Sequence, residues 1–299
     1  MVRGLCIMSK ALVLGAAFVD VVVNVPRLPF SGGDVTGDLK SYRIGGSAFN
    51  VYGALRYMQA SADLLVPVGE GDYATRVKQH LSNQGISLKL PVTGADNGWD
   101  LSLVEPDGER SFLTINGIEQ CWKPQWFQQV QLVDYDYIYV SGYELENLRS
   151  AKVILDGLRQ RRPNAQILFD TSPRIGEIPS EILQQVLAAR VMVHCNEDEI
   201  GKIMPDGRTV AEKAHRLFAL TQSPVMVTLG GQGTYYVDGT ATGQVPAQNV
   251  PVVNTIGAGD THCGGIIAGL MAGLALPEAI KQANQLSAQV VGQENGSLS

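Results

Sequence analysis

The stretch Asn254-Thr255-Ile256-Gly257-Ala258-Gly259-Asp260 joins three small residues to a carboxylate, a combination suited to phosphoryl transfer. Glycine and alanine leave room for backbone N–H groups to converge on one point. A helix starting there adds the positive end of its dipole, so the turn can receive an anion. The Asp260 carboxylate would then be placed to take a proton from an attacking hydroxyl. The same residues could equally form a strand-to-helix turn in which Asp260 merely caps the helix. The segment follows a β-like run, Gln248 to Val253, and opens a glycine-rich apolar stretch, Thr261 to Leu276.

Other polar residues punctuate the chain. Asn196 and Glu199, three apart, would share one side of a first helical turn. An amide oxygen and a carboxylate suit hydrated magnesium, although an N-cap Asn followed by acidic residues reads the same way. Gly45-Gly46 ahead of a helix, with Asn50 in its first turn, permits close backbone approach to a ligand or simply a tight loop. Asp20 lies near the end of the apolar run Ala11 to Val23, which reads as a strand buried on both faces. Its carboxylate would point to the crevice where α/β proteins bind ligands. Glu144, just past another strand end, could contact substrate or cap a helix. Thr228 to Gly233 is a glycine-rich turn, yet no G-K-[ST] of a Walker A loop occurs, and no G-x-G-x-x-G follows the first strand. His80, His194, His215 and His262 lack ligand spacing; His262, two residues past Asp260, falls on a different helical face.

Holding these residues requires a repeating framework. Strands are predicted at Leu64–Val68, Tyr137–Val140, Gln166–Asp170, Val191–Cys195, Val225–Leu229 and Thr234–Val237. Helices are predicted at Ala48–Met58, from Asp72 through about Asn83, at Arg149–Arg162 and at Ile182–Ala189. The alternation implies a parallel sheet with crossover helices. Asp100–Val104 and Arg110–Ile115 flank Pro106-Asp107-Gly108, a β-hairpin signal, whereas Asn24 to Arg43 reads as irregular chain with some β structure. Cys263, Ile266, Ile267, Leu270, Met271 and Leu274 fall at helical spacing. Gly265, Gly269 and Gly273 in that helix each cost about 1 kcal/mol relative to Ala, so close packing should compensate. Pro277 starts another helix, to about Val291.

The 299 residues, 45% apolar and 17% charged, suit a globular α/β protein with a full core, and the formal net charge of −6 argues against nucleic acid as a partner. Cys6, Cys121, Cys195 and Cys263 lie far apart, which argues against a zinc site or disulfide scaffold and for a reducing compartment, the cytoplasm. Arg3 and Lys10 ahead of Ala11–Val19 have the look of a short secretory signal, but Asp20 interrupts it. No run reaches the about 18 uncharged apolar residues of a membrane span.

Taken in order, these motifs resemble those of the ribokinase-like (PfkB-type) carbohydrate kinases. The family signature D-T-x-G-A-G-D matches residues 254–260, G-G-x-x-x-N matches Gly45, Gly46 and Asn50, and N-x-x-E and T-x-G-x-x-G match Asn196/Glu199 and Thr228/Gly230/Gly233. The resemblance implies one kinase domain over 1–299: a mostly parallel sheet flanked by helices, with a small β lid from segments near 21–44 and 98–117. It implies ATP-dependent phosphorylation of a sugar hydroxyl, with Asp260 as base and Gly257, Ala258 and Gly259 as anion hole. Asp20, Gly45, Gly46, Asn50 and Glu144 would hold the acceptor. Asn196, Thr228, Gly230, Gly233, Thr255 and Asn284 would line the nucleotide site, with Asn196 and Glu199 holding Mg2+ through water. Asn254 replaces an Asp that helps build a monovalent-cation site in relatives, so K+ activation is left open. Ser47 stands where many sugar-phosphate kinases carry Lys, which favours an unphosphorylated acceptor. A nucleoside kinase of the same fold and a non-catalytic sugar or nucleotide sensor are the alternatives. Relatives often form homodimers through the lid.

Overall fold

Short apolar strands that must be covered on both faces build the body of the molecule. The computed structural model describes residues 9–294 and 296–298; Arg3 and Cys6 of the sequence reading lie outside them. Strand β1 (Ala11–Leu14) is buried at all four positions. Its alternate side chains feed two cores: Leu12 and Leu14 join Ile138 and Phe169 on one face, Ala11 and Val13 join Tyr139 and Leu168 on the other. Beside it run β4 (Ala62–Leu65), β9 (Tyr137–Ser141), β10 (Gln166–Asp170), β11 (Met192–Asn196) and β12 (Val225–Thr228), all parallel. Two antiparallel strands, β13 (Thr234–Val237) and β14 (Thr242–Val245), finish one edge, giving the order β14-β13-β12-β11-β10-β9-β1-β4.

Helices cover both faces, as parallel strands require. α3 (Leu148–Leu158), α4 (Ser180–Ala188), α5 (Glu197–Ile203) and α6 (Val210–Thr221) pack on the first core. α1 (Ser47–Tyr57), α2 (Asp72–Asn83), α7 (Ala258–Met271) and α8 (Leu276–Val291) pack on the second. Gly265 and Gly269 let α7 and α8 close up: a Cβ at either would come within 2.8 Å of Ala283 or Ala279. Gly273 does not belong to this stripe. It lies beyond α7 at φ +82°, with open space where a side chain would go. None of the helices among the described residues is long and apolar enough to cross a membrane.

A second sheet, order β3-β2-β7-β8, stands apart as a lid: β2 (Phe18–Asn24), β3 (Asp38–Gly45), β7 (Trp99–Val104) and β8 (Arg110–Ile115). A two-residue pair, β5 (Pro67–Val68) with β6 (Leu90–Pro91), links lid and body. The apolar run Ala11–Val23 is therefore two strands in two sheets, not one. The chain leaves β1 at Gly15, where a Cβ would sit 2.8 Å from that of Ala48, and Asp20 rides on the lid. It returns through Gly46, at φ +99°, where a Cβ would come within 2.8 Å of the Ala16 carbonyl oxygen. Leu64–Val68 likewise divides between β4 and β5. Gln248–Val253 forms no strand. Pro246 and Pro251 have no N–H to give a ladder, and the edge strand lies instead at β14.

Candidate active site

The turn before α7 places its small residues against other backbone. Gly257 adopts φ +74°, ψ 0°, and a Cβ there would strike the Gly296 carbonyl oxygen. Only glycine fits. Ala258 opens the helix, its N–H directed back to the Thr255 carbonyl at 3.3 Å, while the Ser287 hydroxyl donates to the Ala258 carbonyl at 2.9 Å. The following amides head a fourteen-residue helix and have no acceptor within it. Asp260 sits in this first turn, and its Oδ2 accepts a 2.8 Å hydrogen bond from Asn50 Nδ2 on α1. Burial and the charge of Asp170 push the Asp260 pKa up to about 6, against Asn50, the Ser47 hydroxyl and His194. A carboxylate ionised at neutral pH but not far above its pKa is a competent general base. Ser47, noted in the sequence only for what it replaces, is thus a partner of Asp260.

Beneath this turn runs a buried polar chain that the sequence did not reveal. Asp170 and His194 are register partners on β10 and β11, and His194 Nδ1 lies 2.9 Å from Asp170 Oδ1. His194 Nε2 is 3.0 Å from His262 Nδ1, and His262 Nε2 is 2.9 Å from Asn284 Oδ1. Asn284 Nδ2 donates to the carbonyls of Val245 and Pro246, so its Oδ1 is an acceptor. His262 Nε2 therefore carries the hydrogen and Nδ1 accepts. The Thr234 hydroxyl, 3.1 Å from His262 Nε2, donates to Asn284 Oδ1 at 2.9 Å and so leaves that tautomer in place; His194 then donates from both nitrogens, one to His262 and one to the Asp170 carboxylate, the pattern of an imidazolium. Burial alone would lower its pKa, but the Asp170 hydrogen bond and charge, with Glu199 and Asp260 behind them, raise it. Burial and the His194 charge push His262 down to about 3. Asp170, His194 and Cys263 also bring three potential metal ligands within 4.8 Å of one another, but both His194 nitrogens are committed to hydrogen bonds. His262 belongs to this chain, its two nitrogens engaged with His194 and Asn284.

On the lid, Arg43, Asp20, Asp100 and Thr114 form one row across four strands. Asp20 lines a cavity of about 440 Å³ between lid and body, together with Gly45 and Asn50. Burial, then Asp100, raise the Asp20 pKa to about 7, opposed by Arg43 and Arg110. A Cβ at Gly45 would lie 2.8 Å from Asp20 Oδ2, so a side chain there would displace the carboxylate. Gly46 turns the chain into α1. Glu144 lies deeper, 5% exposed, with Oε1 against Gly15 and Oε2 without a hydrogen-bond partner among the described residues. Burial pushes its pKa up to about 8, against the amides of Glu144 and Ser141.

The residues assigned to nucleotide and metal lie at the carboxyl ends of β11 and β12, where Asn196 and Thr228 are register partners. Asn196 and Glu199 form a capping box: Glu199 N–H to Asn196 Oδ1 at 2.8 Å, Asn196 N–H to Glu199 Oε2 at 2.9 Å. Glu199 also accepts from Asn196 Nδ2 and the Thr171 hydroxyl. With these partners in place, the pair fits a magnesium ion only through water molecules. The Thr228 hydroxyl faces the Cys195 carbonyl at 3.4 Å. Gly230 (φ +56°) and Gly233 (φ +96°) shape the next turn, and a Cβ on Gly233 would overlap the Val245 carbonyl. Thr255 is exposed beside the Asp260 turn. Asn284 is engaged in the buried chain and braces the loop after β14.

A family model described as pfkB family carbohydrate kinase matches residues 8–299. An Escherichia coli (strain K12) protein described as an uncharacterized sugar kinase, YegV, is 33% identical over 294 residues, 96% of this chain and 90% of that one. The ATP-dependent ribose-1-phosphate kinase of Halopiger xanaduensis is 24% identical over 289 residues, 96% and 93% of the two chains. The crystal structure of ribokinase from Thermotoga maritima has a TM-score of 0.81 at 21% identity, covering 97% of this chain and 94% of that one, a likeness of fold.

Proposed function

Because this chain belongs to the pfkB family of carbohydrate kinases, a family of phosphotransferases, we propose that it moves the γ-phosphoryl group of ATP to a sugar hydroxyl with Asp260 as general base. The observation that carries this assignment is the pairing of Asp260, held by Asn50, with a helix N-terminus that glycine alone can shape. The acceptor occupies the cavity between lid and body, with hydroxyls on Asp20, Asn50 and the backbone at Gly45 and Gly46. Asp260 takes the proton of the attacking hydroxyl. That oxygen bonds to the γ-phosphorus as the bond to the β–γ bridging oxygen breaks, and ADP leaves. N–H groups at Gly257 and Gly259 face the charge that spreads over the transferring oxygens, and that of Ala258 would join them by releasing the Thr255 carbonyl. ATP lies along Thr228, Gly230, Gly233 and Thr255 at the strand ends. Magnesium, held through water by Asn196 and Glu199, supplies further neutralisation of the phosphate charge. Glu144 supports the acceptor side from below, through the Gly15 turn.

Free Cys121, Cys195 and Cys263 suit a reducing compartment, and the cytoplasm is proposed for the protein. The test of the function is ATP consumption over a panel of sugars and nucleosides, with Asp260→Asn alongside. The variant should lose roughly 10²–10⁴ in turnover, the usual worth of a general base, while still binding ATP. Turnover within a few-fold of wild type would remove Asp260 from its role. Stimulation by nucleosides alone would give a nucleoside kinase on the same fold.

A further inference from the structure

The cavity that receives the acceptor carries more positive charge than a neutral sugar needs. Its charged lining consists of one carboxylate, Asp20, and three guanidinium groups: Arg43 from β3, Arg76 from α2 and Arg110 from β8. The concentration is local, because the chain as a whole carries −6. None of the three arginines forms an ion pair among the described residues. Arg43 donates to the Glu294 carbonyl at 3.3 Å, and Arg76 lies 3.8 Å from the centroid of the Tyr42 ring, in the same cavity. Arg110 has no hydrogen bond among the described residues; it acts on Asp20 only through its charge.

A second observation concerns neutral donors. Among the described residues the Ser102 hydroxyl, which lines the cavity at 2% exposure, has no hydrogen-bond partner, and His80 Nε2, in the same wall, has none either. Buried polar atoms are normally satisfied, so these mark a place where a ligand completes the hydrogen bonding. Guanidinium forks match the paired oxygens of phosphate and carboxylate, and a partly desolvated cation without a partner gains most from an anion. Position separates this cluster from the ATP phosphates. Arg43 is the register partner of Asp20 on the lid, whereas the nucleotide residues lie at the ends of β11 and β12.

We propose that the acceptor is an anionic sugar, a phosphate monoester or a sugar acid, whose charged group is held by Arg43, Arg76 and Arg110 while its free hydroxyl meets Asp260. Three guanidinium groups favour the doubly charged phosphate ester. Ser47, which touches Asp260, says nothing of the far end of the acceptor, so its presence in place of lysine no longer favours an unphosphorylated one. The inference rests on the kinase reading for the direction of the hydroxyl, but not for the anion site.

The experiment is therefore a binding measurement without ATP, followed by turnover with it. Calorimetric titrations of wild type, Arg110→Gln and Arg43→Gln would compare ribose 5-phosphate, fructose 6-phosphate and gluconate with ribose, fructose, glucose and inosine. An anionic sugar should bind at least about 10-fold tighter than its neutral parent and lose about 10- to 100-fold in either variant, as for a charged hydrogen bond. Arg110→Lys should restore part of the loss. Arginine-dependent binding of an anionic sugar that ATP fails to turn over would uphold the anion site and count against the kinase reading. A neutral sugar or nucleoside turned over with a KM indifferent to Arg110→Gln would overturn the anion site and leave the kinase intact. Anionic sugars binding no better than their parents would overturn it too.

Discussion

Replacing His194 by Asn should move the acid limb of the phosphoryl-transfer rate upward by one to two pH units without touching the cavity. The His194 ring lies under the Asp260 turn, with Cε1 4.0 Å from the place a Cβ on Gly259 would take, one residue before Asp260. Two opposite unit charges about 6 Å apart at an effective dielectric of about 20 interact by about 3 kcal/mol. That equals about two pH units on the pKa of the base, less if Asn196, Glu199 or water rearranges. The sign follows from the charges. His194 favours the Asp260 carboxylate and Asp170 opposes it, so removing the ring alone unmasks Asp170, and the base takes up its proton at higher pH. Activity would then fall away below about pH 7–8 instead of about 6. In Asp170→Asn/His194→Asn both charges go, and the limb should return to near or just below 6. The readout is single-turnover transfer by rapid quench at saturating acceptor, because Asp20, which titrates near 7 in the free protein, is then covered. Loss of packing alone would lower stability in both variants but would not shift the limb and then shift it back. An unmoved limb in His194→Asn, or ¹⁵N shifts showing a neutral ring at pH 8, would refute the imidazolium.

Other consequences are open to measurement. Glu144 titrates near 8 in the fold against 4.5 unfolded, so the native state holds an extra proton across that window and loses stability as pH rises through it, by about 1.4 kcal/mol per unit. Glu144→Gln should flatten that slope, raising Tm at pH 9 and leaving it little changed at pH 5; an unaltered slope would mean the carboxyl is not the source. Asn254 Nδ2 donates to the Glu294 carbonyl at 3.1 Å, so Asn254→Asp would set two oxygens face to face and should make turnover depend on K+, with none of that dependence in wild type. Leu113 and Ile115 are 56% and 40% exposed on edge strand β8, which a lid-to-lid homodimer would cover; Leu113→Glu should then convert dimer to monomer in sedimentation, and identical profiles would dismiss that interface.

Local structure was legible and distant pairing was not. The Asp260 turn, the hairpin around Pro106-Asp107-Gly108 and the strand–helix alternation from Tyr137 onward all depend on neighbours in sequence, and all stand in the structure. The run Ala11–Val23 misled because β1 and β2 are both largely shielded, so a change of sheet at Gly15 left no polar interruption to read. The valines at 250, 252 and 253 read as a strand on propensity, yet Val252 and Val253 are mostly exposed and the prolines forbid a ladder. His194 and His262 stand 68 residues apart, and their meeting is fixed by the register of β11 beneath α7. The arginines at 43, 76 and 110 each read as ordinary surface charge until the lid folds over α2.

The chain crosses between body and lid four times, and the crossings touch in two pairs, Ala16 against Gly46 and Gly98 against Gly117. Both pairs lie at the end of the lid where Ile44, Val19, Trp99 and Ile115 form one row across its four strands, and together they set a hinge axis along that row. Asp20 lies one residue beyond the row and Arg110 five, about 3 and 17 Å at the usual strand rise, so a turn of about 20° would carry Arg110 about 6 Å and Asp20 about 1 Å. The end of the acceptor that reacts would thus be aimed by a fixed post, Asp20, and the swing reserved for Arg110 at the rim. Label pairs at Glu109 and Gln79 should report a larger change on ligand binding than pairs at Thr114 and Gln79. A lid geared in this way can accept charged sugars of different lengths by stopping at different angles, with the attacking oxygen delivered to the same point each time.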